Sequence, residues 1–77
     1  MNVATAEAAR LSYQCARILG RIYVGRASNK ELATICLNYT AKISELRQRG
    51  HDIRVVSQER GTGLTYYALF VNGKETA

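Results

Sequence analysis

The chain has no proline, a single histidine, two cysteines and six carboxylates against eleven Lys and Arg, and each scarcity closes off a class of function. With His51 as the sole histidine, a His-based metal cluster lacks ligands, and Cys15 and Cys36 belong to no CxxC or Cys/His set. Each cysteine falls on an apolar helical position and reads as a reduced core residue. The carboxylates are scattered rather than paired at a spacing suited to acid and base work. Gly61-Thr62-Gly63 lacks the strand, helix and Lys of a phosphate-binding loop, and His51-Asp52, directly after a helix end, reads as a turn pair. These absences predict a protein that is not an enzyme and takes no metal or cofactor. No apolar run approaches the roughly 20 residues needed to span a bilayer, and no charged-then-apolar signal pattern opens the chain, so no membrane association is expected and the expected location is the cytoplasm. No repeat or low-complexity tract is present, and 77 residues suit one small domain with a single core.

What is abundant is positive charge. A formal net charge of +5 favours an anionic partner such as nucleic acid. Ala4, Ala8, Leu11, Cys15, Ile18, Leu19 and Ile22 fall along one stripe, with Arg10, Gln14, Arg17 and Arg21 opposite, which predicts an N-terminal helix over about 4–23. The basic stripe suits either a phosphate backbone or plain solvation. Alanines at 4, 6, 8 and 9 permit close helix approach and predict a two-fold homodimer through residues 3–19.

The stretch from Ser28 to Gly50 reads as two short helices joined by a tight turn. Ser28 followed by Glu31 is a capping-box pattern that opens a helix at Asn29. Leu32, Ala33, Ile35 and Cys36 give that helix an apolar face, and Leu37-Asn38 breaks the pattern. The next helix runs from Tyr39 to Arg49 and is stopped by Gly50. At about 100° per residue, Tyr39, Ile43 and Leu46 project to one side, and Ala41, Ser44, Glu45 and Gln48 to the other, with Lys42 and Arg49 on a flank. The outward face is small and polar, fit either to approach a groove or simply to meet water. After Gly50 the period becomes alternating. Strands are expected near 52–58 and 64–71, joined through Glu59-Arg60-Gly61-Thr62-Gly63 as a hairpin. From Asn72 onward the chain is polar and expected to be loosely ordered.

Tyr39 to Gly50, followed by Ile53, the Gly61/Gly63 loop and Tyr67-x-Leu69, resembles the small winged helix-turn-helix domains common in phage and prophage proteins. The resemblance covers roughly residues 10–71. It implies a mainly α fold with a β-hairpin, three helices plus a two-stranded wing, in one domain spanning 1–77. In that domain the N-terminal helix covers about 4–23, the helix-turn-helix about 28–50, the wing about 52–71 and a polar tail 72–77. It implies a phage-type transcriptional regulator or accessory DNA-binding factor, located in the host cytoplasm if phage-encoded, with the 39–49 helix in the major groove of duplex DNA and the wing at adjacent backbone or minor groove. Thr40, Ala41, Ser44, Glu45, Gln48 and Arg49 are the candidates on the reading helix. Lys30, Lys42, Arg60 and Thr62 are the candidates around it, with Lys30, Lys42 and Arg60 assigned to phosphates. The sequence departs from a strong DNA reader at Ala41 and Glu45, where Arg, Asn or Gln is more usual. The competing reading is a phage-type inhibitor or interaction protein that uses the same surface to bind a host protein, for example a nucleic-acid-binding complex.

Overall fold

The computed structural model describes residues 12 to 76. The first helix of the described residues, α1 (Tyr13–Tyr23), begins where Ser12 adopts extended backbone and its hydroxyl accepts the Cys15 N–H at 3.1 Å. That side-chain acceptor takes one of the donors a helix start leaves unpaired. The expected helix over 4–23 is therefore corrected to one that starts at Tyr13. Positions 4–11, with the alanine-rich start and Arg10, lie outside the described residues, and so does most of the expected dimer contact. The helix continues through Gly20 to Tyr23.

After α1 come a two-residue strand, β1 (Ala27–Ser28), and two helices, α2 (Asn29–Ile35) and α3 (Tyr39–Gln48). The capping box at the head of α2 is complete: Ser28 Oγ accepts the Glu31 N–H at 3.1 Å, and a Glu31 carboxylate oxygen accepts the Ser28 N–H at 3.5 Å. Arg21 reaches across from α1 and reinforces this cap. It bonds Glu31 at 2.6 Å and donates to the carbonyls of Gly25 and Arg26. Its guanidinium holds the Glu31 carboxyl below the usual carboxylate range. The helix α3 ends as the sequence indicates. Gly50 takes φ +99, its N–H bonds the Arg47 carbonyl, and the His51 N–H bonds the Leu46 carbonyl. Two orphan carbonyls of the last turn are thereby satisfied by a left-handed residue that costs little only as glycine.

Three further strands follow: β2 (Asp52–Gln58), β3 (Thr65–Val71) and β4 (Lys74–Glu75). All pairings are antiparallel and β3 is central. One edge pairs with β2, from Asp52 opposite Phe70 to Gln58 opposite Thr65, with Val56 bulged out between Val55 and Ser57. The other edge carries both short strands: Ala27 and Ser28 pair with Tyr67 and Tyr66, and Glu75 and Lys74 with Phe70 and Val71. Arg26, at the head of β1, makes a two-pronged pair with Glu75 of β4 at 3.0 Å on each prong, which raises the Arg26 pKa above its ordinary value. Over the described residues the fold is therefore mixed α and β, three helices with an antiparallel sheet, and the expectation of a mainly α chain with a two-stranded wing is corrected. The expected loose tail is corrected as well. Asn72 and Gly73 both have positive φ, the geometry of a two-residue hairpin turn, and the Thr76 N–H still bonds the Leu69 carbonyl at 3.0 Å.

The core lies between the helices and one face of the sheet. Cys15, Ile18 and Ile22 from α1, Leu32 from α2, Ile43 and Leu46 from α3, and Ala27, Ile53 and Leu69 from the sheet form one buried cluster, with Tyr39 and Tyr67 packed at its margin. The two tyrosine rings meet edge to face at 6.3 Å. Among the described residues no helix is long and apolar enough to cross a membrane.

Candidate nucleic-acid interface

The orientation of α3 is fixed from three sides. Ile43 and Leu46 are buried in the core. On one flank Arg47 donates to the Ile53 carbonyl of β2 at 2.9 Å, turning that side toward the hairpin. On the other, Glu45 faces α1: one carboxylate oxygen accepts from the Cys15 thiol at 3.1 Å and the other lies 3.6 Å from Arg49. What remains outward is Thr40, Ala41, Ser44 and Gln48, all exposed.

Glu45, expected on that outward face, sits at its edge, its side chain 38% exposed and engaged by Cys15 and Arg49. The reason is its place in the helical turn: it sits one residue before the core residue Leu46, on the side where α1 passes, and Cys15 offers a donor at that level. Burial is the main cause that pushes the Cys15 thiol pKa up; Glu45 adds to it, while Ser12 and the nearby Lys42 act in the opposite sense. Lys42 and Arg49 thus share the α1-side flank with Glu45, and Lys42 is half-buried there.

The hairpin loop is held to α2. Asn29 donates from Nδ2 to the Gly63 carbonyl at 3.2 Å and accepts the Thr65 N–H on Oδ1 at 3.0 Å, so one side chain spans the exit of the 59–64 loop. Lys30, the next residue, is exposed beside this corner, and Arg60 is exposed in the loop. Thr62 is used within the loop: its hydroxyl donates to Glu59 at 3.1 Å and accepts the Leu64 N–H at 3.3 Å. It shapes the turn rather than standing free as a contact.

The charges are sorted in the same way. Glu31, Glu45, Asp52 and Glu75 are each paired with an arginine (Arg21, Arg49, Arg54 and Arg26, respectively). Glu59, the remaining carboxylate among the described residues, accepts from Thr62. Lys30, Lys42 and Arg60 form no ion pair with any of these carboxylates. Arg26, at the connection into α2, is paired with Glu75. The basic stripe on α1 is also largely committed, with Arg21 on Glu31 and Arg17 stacked 5.6 Å over the Tyr13 ring. No family model, curated protein or solved structure matches the chain.

Two contributors escaped the sequence reading. Asn29 looked like an ordinary first helical residue, and its role depends on a contact with a loop more than thirty positions away. Leu37, read as part of the turn, is 90% exposed immediately before α3, although a bulky apolar residue breaking the run was visible. A cavity of about 350 Å³ lies at the opposite end of the hairpin, lined by residues 50–52 and 69–72; it includes none of the ten candidates. Among the described residues no group of His, Cys, Asp and Glu could hold a metal.

Proposed function

We propose that this chain is a winged-helix protein that binds duplex DNA, with α3 in the major groove and the 59–64 loop as the wing on neighbouring backbone, serving as a transcriptional regulator or accessory DNA-binding factor of the phage type. The chain order supports the fold: two adjacent helices, then a hairpin whose loop is fastened to the first of them by Asn29. The observation that carries the function is the chemistry of the α3 face. Thr40, Ala41, Ser44 and Gln48 are exposed and uncharged, while Glu45, the one carboxylate of that helix, is turned to Cys15 and Arg49. A face close to phosphates is repelled by each unpaired carboxylate, and here the carboxylate is paired with Arg49. Lys42 on the flank of α3 and Lys30 and Arg60 at the corner of α2 and the loop supply sequence-independent phosphate contacts.

One observation favours a second reading. Leu37 holds a large apolar side chain almost fully in water at the entry to α3, as a host-protein contact would use it. A titration of random-sequence duplex at two salt concentrations separates the two. The DNA reading predicts binding that weakens as salt rises, with Lys42→Ala and Arg60→Ala each lowering the salt slope by about one. Absence of binding at low salt overturns it in favour of a protein partner.

A further inference from the structure

Residues 41, 44 and 48 follow the spacing of a single helical face, Thr40 lies beside them, and Leu37 stands exposed in the turn just before the helix. The side chains at 37, 41, 44 and 48 are leucine, alanine, serine and glutamine, all exposed. In the major groove guanine is read chiefly by Arg or Lys at O6 and N7, and cytosine by a carboxylate at its amine. Neither group stands on this face: the cations of α3 lie on its flanks and Glu45 bonds Cys15. The chemistry that remains is that of an A·T pair. A glutamine amide can bond adenine N6 and N7 together, and small or apolar side chains can cover the C5 methyl of thymine.

We infer that α3 reads A·T-rich duplex DNA in the major groove, Gln48 taking an adenine edge and Leu37 and Ala41 packing on thymine methyls. This rests on the DNA-binding reading above and adds the identity of the sites it selects. It also gives Leu37 a use, since contact with a methyl removes from water an apolar side chain that the fold leaves in it. Charge complementarity supports duplex DNA as the occupant, because Lys42 flanks the face and Lys30 and Arg60 are exposed at the corner of α2 and the 59–64 loop, all three without carboxylate partners among the described residues.

The test uses the full chain and three duplexes of equal length: A·T-rich, the same sequence with uracil replacing every thymine, and G·C-rich. Uracil lacks only the C5 methyl. The A·T duplex binds tightest, and the uracil duplex binds about fourfold more weakly for each contacted methyl. Leu37→Ser, at a position too exposed to disturb folding, brings the thymine-to-uracil ratio toward one. Gln48→Ala reduces the preference for A·T over G·C by about five- to hundredfold. Equal binding of A·T and G·C duplexes, equal binding of thymine and uracil duplexes, or a ratio unchanged in Leu37→Ser overturns the A·T assignment while the protein still binds DNA. No binding of any duplex at low salt overturns the DNA reading itself and assigns the face to a protein.

Discussion

Replacing Asn29 with alanine removes the clamp between α2 and the wing, and its effect can be worked from two hydrogen bonds. The bond from Nδ2 to the Gly63 carbonyl, at 3.2 Å, is exposed, so water replaces it at small cost. The bond from the Thr65 N–H to Oδ1, at 3.0 Å, is partly buried at the first residue of β3. Losing it leaves a backbone donor short of a partner, which costs about 1–3 kcal/mol. With little helix-propensity change on balance, the expected destabilisation is about 2 kcal/mol. For a domain of this size that lowers the thermal midpoint by about 8–16 °C. Asn29→Asp keeps the acceptor for Thr65 and adds a favourable charge at the start of α2, but it turns an oxygen toward the Gly63 carbonyl, so its loss is smaller. Thermal unfolding followed by circular dichroism reads the total, and amide exchange reads where it falls. In Asn29→Ala the Thr65 amide loses more protection than the amides of α3. An unchanged midpoint together with an unchanged Thr65 exchange rate refutes the clamp and leaves the wing held by its strand pairing alone.

Truncating Leu46, fully buried between α3 and its neighbours, to alanine costs about 2–5 kcal/mol in denaturant unfolding; a cost below 1 kcal/mol would mean the site collapses or is not core. Gly50→Ala meets no neighbouring atom but must hold φ +99, so it destabilises by about 1–2 kcal/mol through backbone strain alone. The Arg21 pair lowers the Glu31 pKa, so its contribution is present above the usual carboxylate range and is lost as pH falls through the lowered folded-state value. Glu31→Gln therefore flattens the acid limb of the stability profile, and an unaltered limb contradicts that linkage. Because Glu45 is engaged by Cys15 and its charge is offset by Arg49, Glu45→Gln leaves DNA affinity nearly unchanged; tightening by about tenfold would put an unpaired carboxylate on the groove side after all.

The elements that could be read from the residues are those set by local chemistry. Ser28 and Glu31 mark a cap because the two groups lie within one turn, and Gly50 marks a helix end because only a left-handed residue completes that hydrogen-bond pattern. The alternation after Gly50 located β2 and β3 to within a residue, and Ile43, Leu46, Ile53 and Leu69 meet in the core as their periodicity indicates. Two-residue strands have no periodicity, so Ala27–Ser28 carried no local signal; its pairing with Tyr66 and Tyr67 is settled by tertiary contact. The turn at Asn72-Gly73 was different, since that dipeptide is a strong hairpin signal and the polar composition around it hid the strand. Of the candidate site, the exposed positions Thr40, Ala41, Ser44 and Gln48 follow from helix geometry. Helix geometry alone does not say where α1 crosses, and that crossing draws Glu45 toward Cys15. Ion pairs between distant residues, such as Arg26 with Glu75, are equally invisible in one dimension.

The most direct test of the central claim is to map the backbone amide shifts of the full chain as an A·T-rich duplex is added at low salt. The account predicts that the largest changes fall on residues 37–48 and on the 59–64 loop, with little change along the Tyr13 and Arg17 side of α1 or around the cavity at 50–52 and 69–72. Changes concentrated on α1 or at that cavity, with α3 and the loop unmoved, would contradict it.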